Sequence, residues 1–409
     1  MVQLMLEGFG GDLRLVSPQE NASGGLGIRC YHVNARLSDT MVDIGSFQAR
    51  KITRLLGYCL QAVWCRFRYG VRTLYYVPAP GVRAALYRDW MVMLICRPFF
   101  KRVVLHWHAA GLADWLEAGS SGFSRWLSRR LLGKSDLSIV LSQYNRADAQ
   151  YMASRRITIV SNGIGDPCPG FPTRVLPRRL ARVTARRKLL SGAQLSPAEL
   201  KDTGGDPHVL KVLYLAHCTR EKGLFDALGA IAVLNQRLAT GHPAVSAHLT
   251  VAGNFVNEQE RGEFKSWLTR PELRVPGDNP AATGAAAPLS AAVRYIGFVS
   301  GTEKQRILYE SDCLCFPTYY GAENLPVVII EAMAFGLPVV TTRWRSLPEL
   351  FPPDYCGLVA IRSPKQLAET MHDLMTREEG VRLREVFLQN FTLERHLSQL
   401  ADALKSVDS

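Results

Sequence analysis

Two glutamates stand eight residues apart, and their spacing suits the binding of a sugar or an anion. Glu323 lies in a loop, and Glu331 lies in an apolar stretch that predicts a helix opening at Pro326 and closing before Gly336. A helical side chain leans toward the helix N-terminus, so Glu331 can face the loop of Glu323. Free backbone N–H groups of the first helical turn lie between them. The alternative is that Glu331 is half exposed or paired with a core residue.

A second candidate site stands at an earlier junction between a strand and a helix. Arg220 and Lys222 precede Gly223, and the following residues predict a helix from Leu224. Two cations beside a helix N-terminus indicate a phosphate site, although Lys-Gly before a helix is common. The chain has no Asp-x-Asp pair, and its nine cysteines form no CxxC pair, so we expect no metal site.

The composition of the chain excludes several classes of protein. The chain has 409 residues, of which 47% are apolar and 21% charged, which excludes a disordered, collagen-like or long coiled-coil protein. Residues 1–190 hold 28 Lys and Arg against 11 Asp and Glu, whereas residues 191–409 hold 21 against 25. The excess positive charge indicates an anionic partner. Without a recognised module or an aromatic-basic interleave, we do not expect nucleic acid.

Short apolar strands alternate with helices along most of the chain, which predicts parallel sheets covered on both faces. In the first half, strands are predicted at 27–35, 72–77, 103–108, 137–142 and 157–160. In the second half, they are predicted at 210–216, 248–253, 293–297, 313–317 and 338–342. Two such series predict two doubly wound domains, with ligands bound at the carboxyl ends of the strands.

The breaks between these series predict four parts. An N-terminal domain spans 1–164, a basic linker and lead-in 165–207, and a second domain 208–390. A C-terminal helix at 391–409 is expected to pack back on the first domain. Residues 276–289, rich in Ala, Gly and Pro, are interpreted as a surface insertion.

The glutamate pair resembles the signature of the retaining glycosyltransferases of the group-one family (glycosyltransferase family 4). That signature is Glu-x7-Glu followed by Ala-Met-Ala-x-Gly-x-Pro-Val-Val, which the chain matches from Glu323 through Ala332-Met-Ala-Phe-Gly-Leu-Pro-Val-Val. Shorter matches are Val160-Ser-Asn-Gly-Ile, Glu221-Lys-Gly, Val251-Ala-Gly and Tyr295-Ile-Gly-Phe-Val. The resemblance implies an α/β fold of GT-B architecture, with two Rossmann-like, doubly wound parallel-sheet domains facing across a cleft.

The resemblance also implies roles for individual residues. Glu331 would hold the ribose of a nucleotide, Glu323 the hydroxyls of the donor sugar, and Lys222 the diphosphate. His108, at a strand end before small residues, would be catalytic, with His106 two residues earlier as the alternative. The remaining donor-binding positions would be Asn324, Leu325, Val327, Gly297, Val299 and His217.

Three features depart from the family pattern. Asn324-Leu325-Pro326 follows the first Glu where many members have Gly-rich segments, and Pro offers no N–H to a sugar. His217 stands where many members have Arg, so Arg220 is expected to supply the missing charge at the catalytic site. The usual first strand and Gly-rich turn are not evident before residue 27, although glycines at 8–11 or 24–25 are candidates for that turn.

The implied activity is a retaining, metal-independent hexosyl transfer from a nucleotide-diphosphate-sugar to an acceptor. The acceptor is expected to be a lipid-linked or polysaccharide-precursor glycan, with no cofactor. A nucleotide-sugar epimerase or hydrolase of the same fold remains an alternative, as does a non-catalytic sugar-nucleotide-binding relative. The protein is expected in the cytoplasm, on the inner face of a membrane or free of it.

Two basic segments predict contact with an anionic membrane surface. Residues 125–134 alternate Arg and Lys with Trp126, Leu127, Leu131 and Leu132, and residues 49–69 combine Lys51, Arg54, Arg66 and Arg68 with Trp64 and Phe67. Basic helices with aromatic faces can lie in a bilayer interface without crossing it. The alternative is that these helices cover the parallel sheet and their arginines are solvated.

Overall fold

The computed structural model describes residues 26, 28–35, 49–242, 244–276 and 289–407. The chain divides into two compact units. The first comprises Met1–Ile164, Gly321–Leu325 and Phe391–Ser409, and the second comprises Gly165–Tyr320 and Pro326–Asn390. The candidate glycine turns at 8–11 and 24–25, and residues 277–288 of the interpreted insertion, lie outside the described residues.

The first unit is built on a parallel sheet of four strands in the order β1-β2-β3-β4. The strands are β1 (Thr73–Tyr76), β2 (Arg102–Trp107), β3 (Leu137–Val140) and β4 (Ile157–Ile159). The helices are α1 (Ala49–Arg68), α2 (Arg83–Cys96), α3 (Leu112–Gly119), α4 (Gly122–Leu131), α5 (Arg146–Tyr151) and α14 (Leu393–Lys405), with a 3-10 turn at Arg97–Phe99.

The two faces of this sheet pack against different helices. Because successive side chains of a strand point to opposite faces, Val103 and Leu105 join the cluster beneath α1 and α2. Val104 points the other way and joins a cluster with Leu400 of α14. Both faces are thus covered, which explains why β2 and β3 carry buried side chains on both faces of the sheet.

The strand predicted at 27–35 is wrong. Residues 28–35 form no strand, and the four strands of the sheet pair only with one another. Leu26, Ile28 and Cys30 nevertheless pack against the cluster that includes α14. The apolar alternation therefore reports side-chain packing of this segment, whereas a strand also needs backbone pairing.

The second unit has a parallel sheet of six strands in the order β12-β11-β10-β5-β6-β9 and a separate hairpin, β7-β8. The strands are β5 (Val209–Leu215), β6 (Ser246–Ala252), β7 (Arg274–Pro276), β8 (Leu289–Ala291), β9 (Val293–Gly297), β10 (Cys313–Phe316), β11 (Val339–Thr342) and β12 (Leu358–Val359). The helices are α6 (Leu176–Leu190), α7 (Pro197–Asp202), α8 (Leu224–Gly241), α9 (Glu258–Leu268), α10 (Gly301–Glu310), α11 (Val327–Ala334), α12 (Pro364–Leu374) and α13 (Gly380–Asn390). Short turns of 3-10 helix at Pro271–Leu273 and Leu347–Leu350, and of π helix at Phe171–Val175, complete it.

The segment interpreted as a basic linker, 165–207, instead belongs to the second unit. It contains α6, whose Arg182 and Arg186 are almost fully buried against Asp312. The excess of arginine in this segment therefore reflects a buried ion-pair cluster and not a solvated connection. Within the described residues, no helix is both long and apolar enough to span a bilayer.

Candidate active site

In the second unit, Lys222 lies in a loop that is held against the end of β10. Gly223 has φ +81°, and a Cβ there would stand 2.3 Å from the carbonyl oxygen of Pro317. The loop is fixed by Tyr319, whose N–H donates to the Glu221 carbonyl at 2.8 Å. The ammonium of Lys222 lies 4.7 Å from the ring centre of Tyr320, a favourable cation–π distance. Lys222 thus belongs to the β5–α8 loop, and its side chain contacts the loop after β10.

Arg220, although only two residues away, has different partners. Its guanidinium donates to both carboxylate oxygens of Glu263 on α9, at 2.5 and 2.6 Å, and stacks over Phe225. The bond to Glu263 raises the pKa of Arg220. The structure therefore joins Arg220 to α9 and Lys222 to the β10 side. At His217, burial and then nearby Lys222 lower the pKa of the imidazole.

Glu331 lies in the second turn of α11 and forms an ion pair across to α10. Its Oε1 is 2.5 Å from the ammonium of Lys304, and both side chains are largely covered. Pro326 immediately precedes α11, so the helix begins at Val327, one residue later than the sequence predicts. This ion pair fixes the orientation of the Glu331 carboxylate, and its second oxygen, Oε2, can accept hydrogen bonds from hydroxyl groups.

The glycines after β6 and β9 bring the strand ends of this sheet close together. The N–H of Gly253 donates to the carbonyl of Gly297 at 2.8 Å, and a Cβ on Gly253 would stand 1.8 Å from the Ala216 oxygen. Gly297 has φ +73°, and nothing lies within 4 Å of where its Cβ would be. Val299, two residues on, is buried. An open backbone edge at Gly297 suits close approach of a flat ligand group.

In the first unit, Asn324 anchors the loop of Glu323 through a polar network. Its Nδ2 donates to Asn145 Oδ1 at 2.8 Å and, less closely, to the His108 carbonyl at 3.4 Å. Its Oδ1 accepts from Ser142 at 3.1 Å. Glu323 and Asn324 are both buried. The network fixes the loop beside the segment that follows β2.

Neighbouring residues extend this network in both directions. Asp148 accepts from the backbone N–H groups of Gly111 and Ala113, at 2.9 and 2.7 Å, and from Asn145 at 3.0 Å. It therefore caps α3 and orients the turn that begins at His108. On the other side of the loop, the Leu325 carbonyl accepts from Asn162 at 2.9 Å. Val327 is the first residue of α11, in the second unit.

Three histidines of the first unit cluster at the end of β2. The ring centres of His106 and His108 are 4.2 Å apart, and His106 Nδ1 is hydrogen-bonded to the Tyr75 hydroxyl. His396 of α14 bonds through Nδ1 to the Ser161 carbonyl at 2.7 Å. Burial is the main cause that lowers the pKa of His108 to about 4, and the nearby His396 acts in the same direction. Burial and then His108 lower the pKa of His106 still more clearly.

The cluster therefore holds neutral imidazoles, and His108 is the less buried of the two candidates on β2. Neutral imidazole can donate one hydrogen bond and accept another, which suits sugar hydroxyls. Within the ranges that the structure describes, no three His, Cys, Asp or Glu side chains are grouped as metal ligands would be.

Sequence reasoning singled out the glutamate pair, Lys222 and His108 as candidates, but it did not name several residues that contact them or their neighbours. Lys304, Asn145, Asp148 and His396 come from distant parts of the chain, and no local motif marks them. The one available signal was Glu331 itself, because a carboxylate in an apolar helix requires a cationic or polar partner.

Comparison with known proteins identifies part of the chain. Residues 198–391 match the family model of the glycosyl transferases group 1. This segment therefore resembles a group 1 glycosyltransferase domain. It covers Lys222, Glu323 and Glu331, and it ends where the chain returns to the first unit.

Curated relatives share this part of the sequence. The amylovoran biosynthesis glycosyltransferase AmsK of Erwinia amylovora is 29% identical over 166 residues, covering 40% of this chain and 34% of AmsK. The glycogen synthase of Mycobacterium tuberculosis H37Rv is 27% identical over 170 residues, covering 42% of this chain and 34% of that enzyme. The putative colanic acid biosynthesis glycosyltransferase WcaL of Escherichia coli K12 is 35% identical over 88 residues, covering 20% and 22%. The matched region thus spans about a third of the first two relatives, or less.

Solved structures resemble this chain in fold over most of its length. HepE of Anabaena, solved with UDP-glucose, has a TM-score of 0.55 at 16% identity and covers 85% of this chain and 82% of HepE. Sucrose-phosphate synthase of Thermosynechococcus elongatus has a TM-score of 0.58 at 16% identity, covering 89% and 80%. The predicted α/β fold of GT-B type is confirmed.

Proposed function

We propose that the protein transfers a hexosyl group, with retention of configuration, from a nucleotide-diphosphate-sugar to a glycan acceptor. The observation that carries the proposal is that one sheet positions Lys222 in the loop after β5 and Glu331 in the helix that follows β10, within the segment that matches the group 1 family model. Parallel α/β sheets bind ligands at that edge. The UDP-glucose complex of HepE, a structural neighbour, supports a nucleotide-sugar as donor.

The second unit supplies the charge that the leaving group needs. Lys222 neutralises the diphosphate, and Glu331, oriented by Lys304, accepts hydrogen bonds from the ribose hydroxyls. The backbone at Gly297 and Val299 contacts the base. Val327 and its neighbours contribute N–H groups of the first turn of α11. Arg220 is the secondary cation, since Glu263 already satisfies its guanidinium on two sides.

The first unit supplies groups that orient the sugar. His108 and Glu323 bond to sugar hydroxyls, and Asn324 with the Leu325 backbone fixes their loop. In the transfer step, the acceptor oxygen forms a bond to the anomeric carbon as the bond from that carbon to the phosphate oxygen breaks. The acceptor proton passes to the departing phosphate oxygen, so no protein nucleophile and no metal ion take part.

The acceptor is proposed to be a polysaccharide-precursor or lipid-linked glycan. AmsK and WcaL are named for the biosynthesis of amylovoran and of colanic acid, and these names support a glycan acceptor here. A position on a membrane surface is a separate proposal, because it depends on helices of the first unit and not on the site residues.

A screen of nucleotide-sugars by nucleotide release tests the function. We expect release that requires both a donor and a glycan acceptor, with an α-anomeric donor giving an α-linked product. Release without acceptor would indicate a hydrolase, and isomerisation of the sugar without release would indicate an epimerase. EDTA should leave the rate unchanged; loss of activity that Mg²⁺ or Mn²⁺ restores would contradict the metal-free step.

A further inference from the structure

We propose that the first unit docks on an anionic lipid surface through one face, built from α1, α2, α4 and Phe99. This docking face is defined by its exposed apolar side chains: Leu60, Trp64, Phe67, Leu94, Phe99, Phe123 and Trp126. The inference goes beyond the transfer reaction and does not depend on it, because none of these residues belongs to the candidate active site.

The outward apolar side chains of these helices are additional to those that cover the sheet. The inner sides of α1 and α2 already bury Leu55, Cys59, Leu86 and Met93 in the core. On the outer side of α1, Leu60 and Phe67 are each 66% exposed. Covering the parallel sheet therefore does not account for them. Exposed aromatic and Leu side chains in such density indicate a surface that another apolar phase covers.

The exposed residues form neighbouring groups on adjacent helices. The rings of Phe67 and Phe99 are 6.0 Å apart at their centres, and Phe123 and Trp126 are 5.8 Å apart. Helix α2 packs between α1 and α4, and the Trp90 indole donates to Ser128 of α4 at 3.0 Å. The three helices thus lie side by side over one face of the sheet.

Charge on the same helices selects the partner. Nine basic residues whose side chains are described lie on α1, α2 and α4: Lys51, Arg54, Arg66, Arg68, Arg83, Arg88, Arg125, Arg129 and Arg130. Their one acidic residue, Asp89, is fully buried, pairs with Arg88 and accepts hydrogen bonds from the Tyr76 hydroxyl and the Ala79 N–H. These helices therefore present no exposed carboxylate. Glu117 on α3 is the nearest acid with pairs to this group, and it contacts Arg125 and Arg129.

A lipid surface fits this combination better than a second copy of the chain. Two such faces would bring like charges together around their apolar centres, which is unfavourable. Anionic headgroups match the cations, and Trp, Phe and Leu can enter the boundary between headgroups and acyl chains. Helices α1 and α4 are amphipathic, so docking would place them in the plane of the interface.

Vesicle co-sedimentation tests the proposal on the full chain. We expect binding to vesicles of equimolar phosphatidylcholine and phosphatidylglycerol, no binding to phosphatidylcholine alone, and a steep fall with added salt. The triple variant Trp64→Ser/Phe67→Ser/Trp126→Ser should bind about tenfold or more weakly, since it loses its inserted side chains. A matched control, Val256→Ser/Leu388→Ser, removes exposed apolar residues of the second unit and should bind normally.

Two further measurements separate the alternatives. Brominated acyl chains should quench the tryptophan fluorescence of the wild type, and Trp64→Phe/Trp126→Phe should lose most of that quenching. Nucleotide release with a soluble acceptor should be the same for the docking variants as for the wild type. A failure of the docking proposal can therefore be distinguished from a failure of the proposed transfer reaction. Equal recovery in the supernatant with both lipids would overturn the proposal, as would undiminished binding by the triple variant. Self-association that the triple variant abolishes, without vesicle binding, would make the face a contact between copies.

Discussion

At the scale of single residues, the two cations of the β5–α8 loop contact different elements. Arg220 is held by two carboxylate bonds to Glu263, while Lys222 lies over the ring of Tyr320. To bind a phosphate, Arg220 would have to give up its ion pair with Glu263. We therefore expect Arg220 to be a secondary ligand of the diphosphate.

This difference predicts unequal effects of substitution. Lys222→Ala and Glu331→Ala should each lower kcat/KM by about 100-fold or more, because each removes an interaction with the donor. Arg220→Ala should lower it by less than about tenfold, since it breaks a largely exposed ion pair. Steady-state kinetics with the preferred donor checks this, with circular dichroism confirming the fold. If Arg220→Ala lowered kcat/KM as much as Lys222→Ala, Arg220 would be a principal ligand of the diphosphate, contrary to this prediction.

The buried histidines predict how the first unit responds to acid. Burial is the main cause that holds the pKa of His108 at about 4, below the 6.5 of an ordinary histidine. The unfolded chain therefore binds more protons between these pH values, so stability is complete above about pH 6.5 and falls as the pH approaches 4. His106, beside Tyr75 and His108, acts in the same direction.

Unfolding midpoints measured between pH 7.5 and 4.5 check this expectation. The wild type should lose stability across this interval, and His108→Gln should show a shallower loss because it removes one titrating group. His208→Gln, which replaces a half-buried histidine of the second unit, provides the control and should follow the wild type. An unchanged slope in His108→Gln would mean that this imidazole does not titrate as its burial indicates.

At the scale of elements, α6 holds the second unit together through buried arginines. Arg179 donates to the carbonyls of Phe335, Ser311 and Leu308, at 2.8, 2.9 and 3.1 Å, and so caps helix and loop ends. Arg182 donates to both oxygens of Asp312, at 2.6 and 2.8 Å. Burial alone raises the pKa of Asp312, but Arg186 and Arg182 together hold it well below its usual range.

Removing the charge of Asp312 should therefore destabilise the second unit strongly. Asp312→Asn leaves Arg182 and Arg186 buried without their carboxylate, which costs on the order of 3–5 kcal/mol. Glu310→Gln, two residues earlier, breaks an exposed pair with Arg306 and should change little. Chemical denaturation of both variants checks the contrast. Comparable unfolding midpoints for Asp312→Asn and the wild type would show that the arginines find other partners.

These elements show what the sequence can predict. Helix α11 and strand β10 follow from local signals: Pro and Gly bound an apolar run, and short apolar stretches mark buried strands. The role of α6 does not, because arginines on a linker and arginines on a buried helix look alike until Asp312 is brought beside them. The same holds for Lys304, whose pairing with Glu331 depends on tertiary packing.

At the scale of the whole molecule, the two α/β series predict the GT-B type of fold, but not every chain crossing between units. The loop Gly321–Leu325 belongs to the first unit, although the residues on both sides belong to the second. Asn324 explains this, since its amide bonds to Asn145 and Ser142 are made by first-unit residues nearly two hundred positions away. A five-residue return of this kind leaves no periodic pattern in the sequence.

The C-terminal segment crosses back in the same way, and it predicts a long-range effect of one substitution. Leu400 of α14 is fully buried in a cluster with Val104, Leu137 and Ile139 of the first sheet. Leu400→Ala leaves a cavity there and should destabilise the first unit by about 2–5 kcal/mol. Hydrogen exchange followed by mass spectrometry should show lost protection in peptides of β2 and β3, while β5 and β6 stay protected. Leu388→Ala, on an exposed site of α13, is the control and should change neither set. Lost protection confined to β5 and β6 would contradict the assignment of this helix to the first unit.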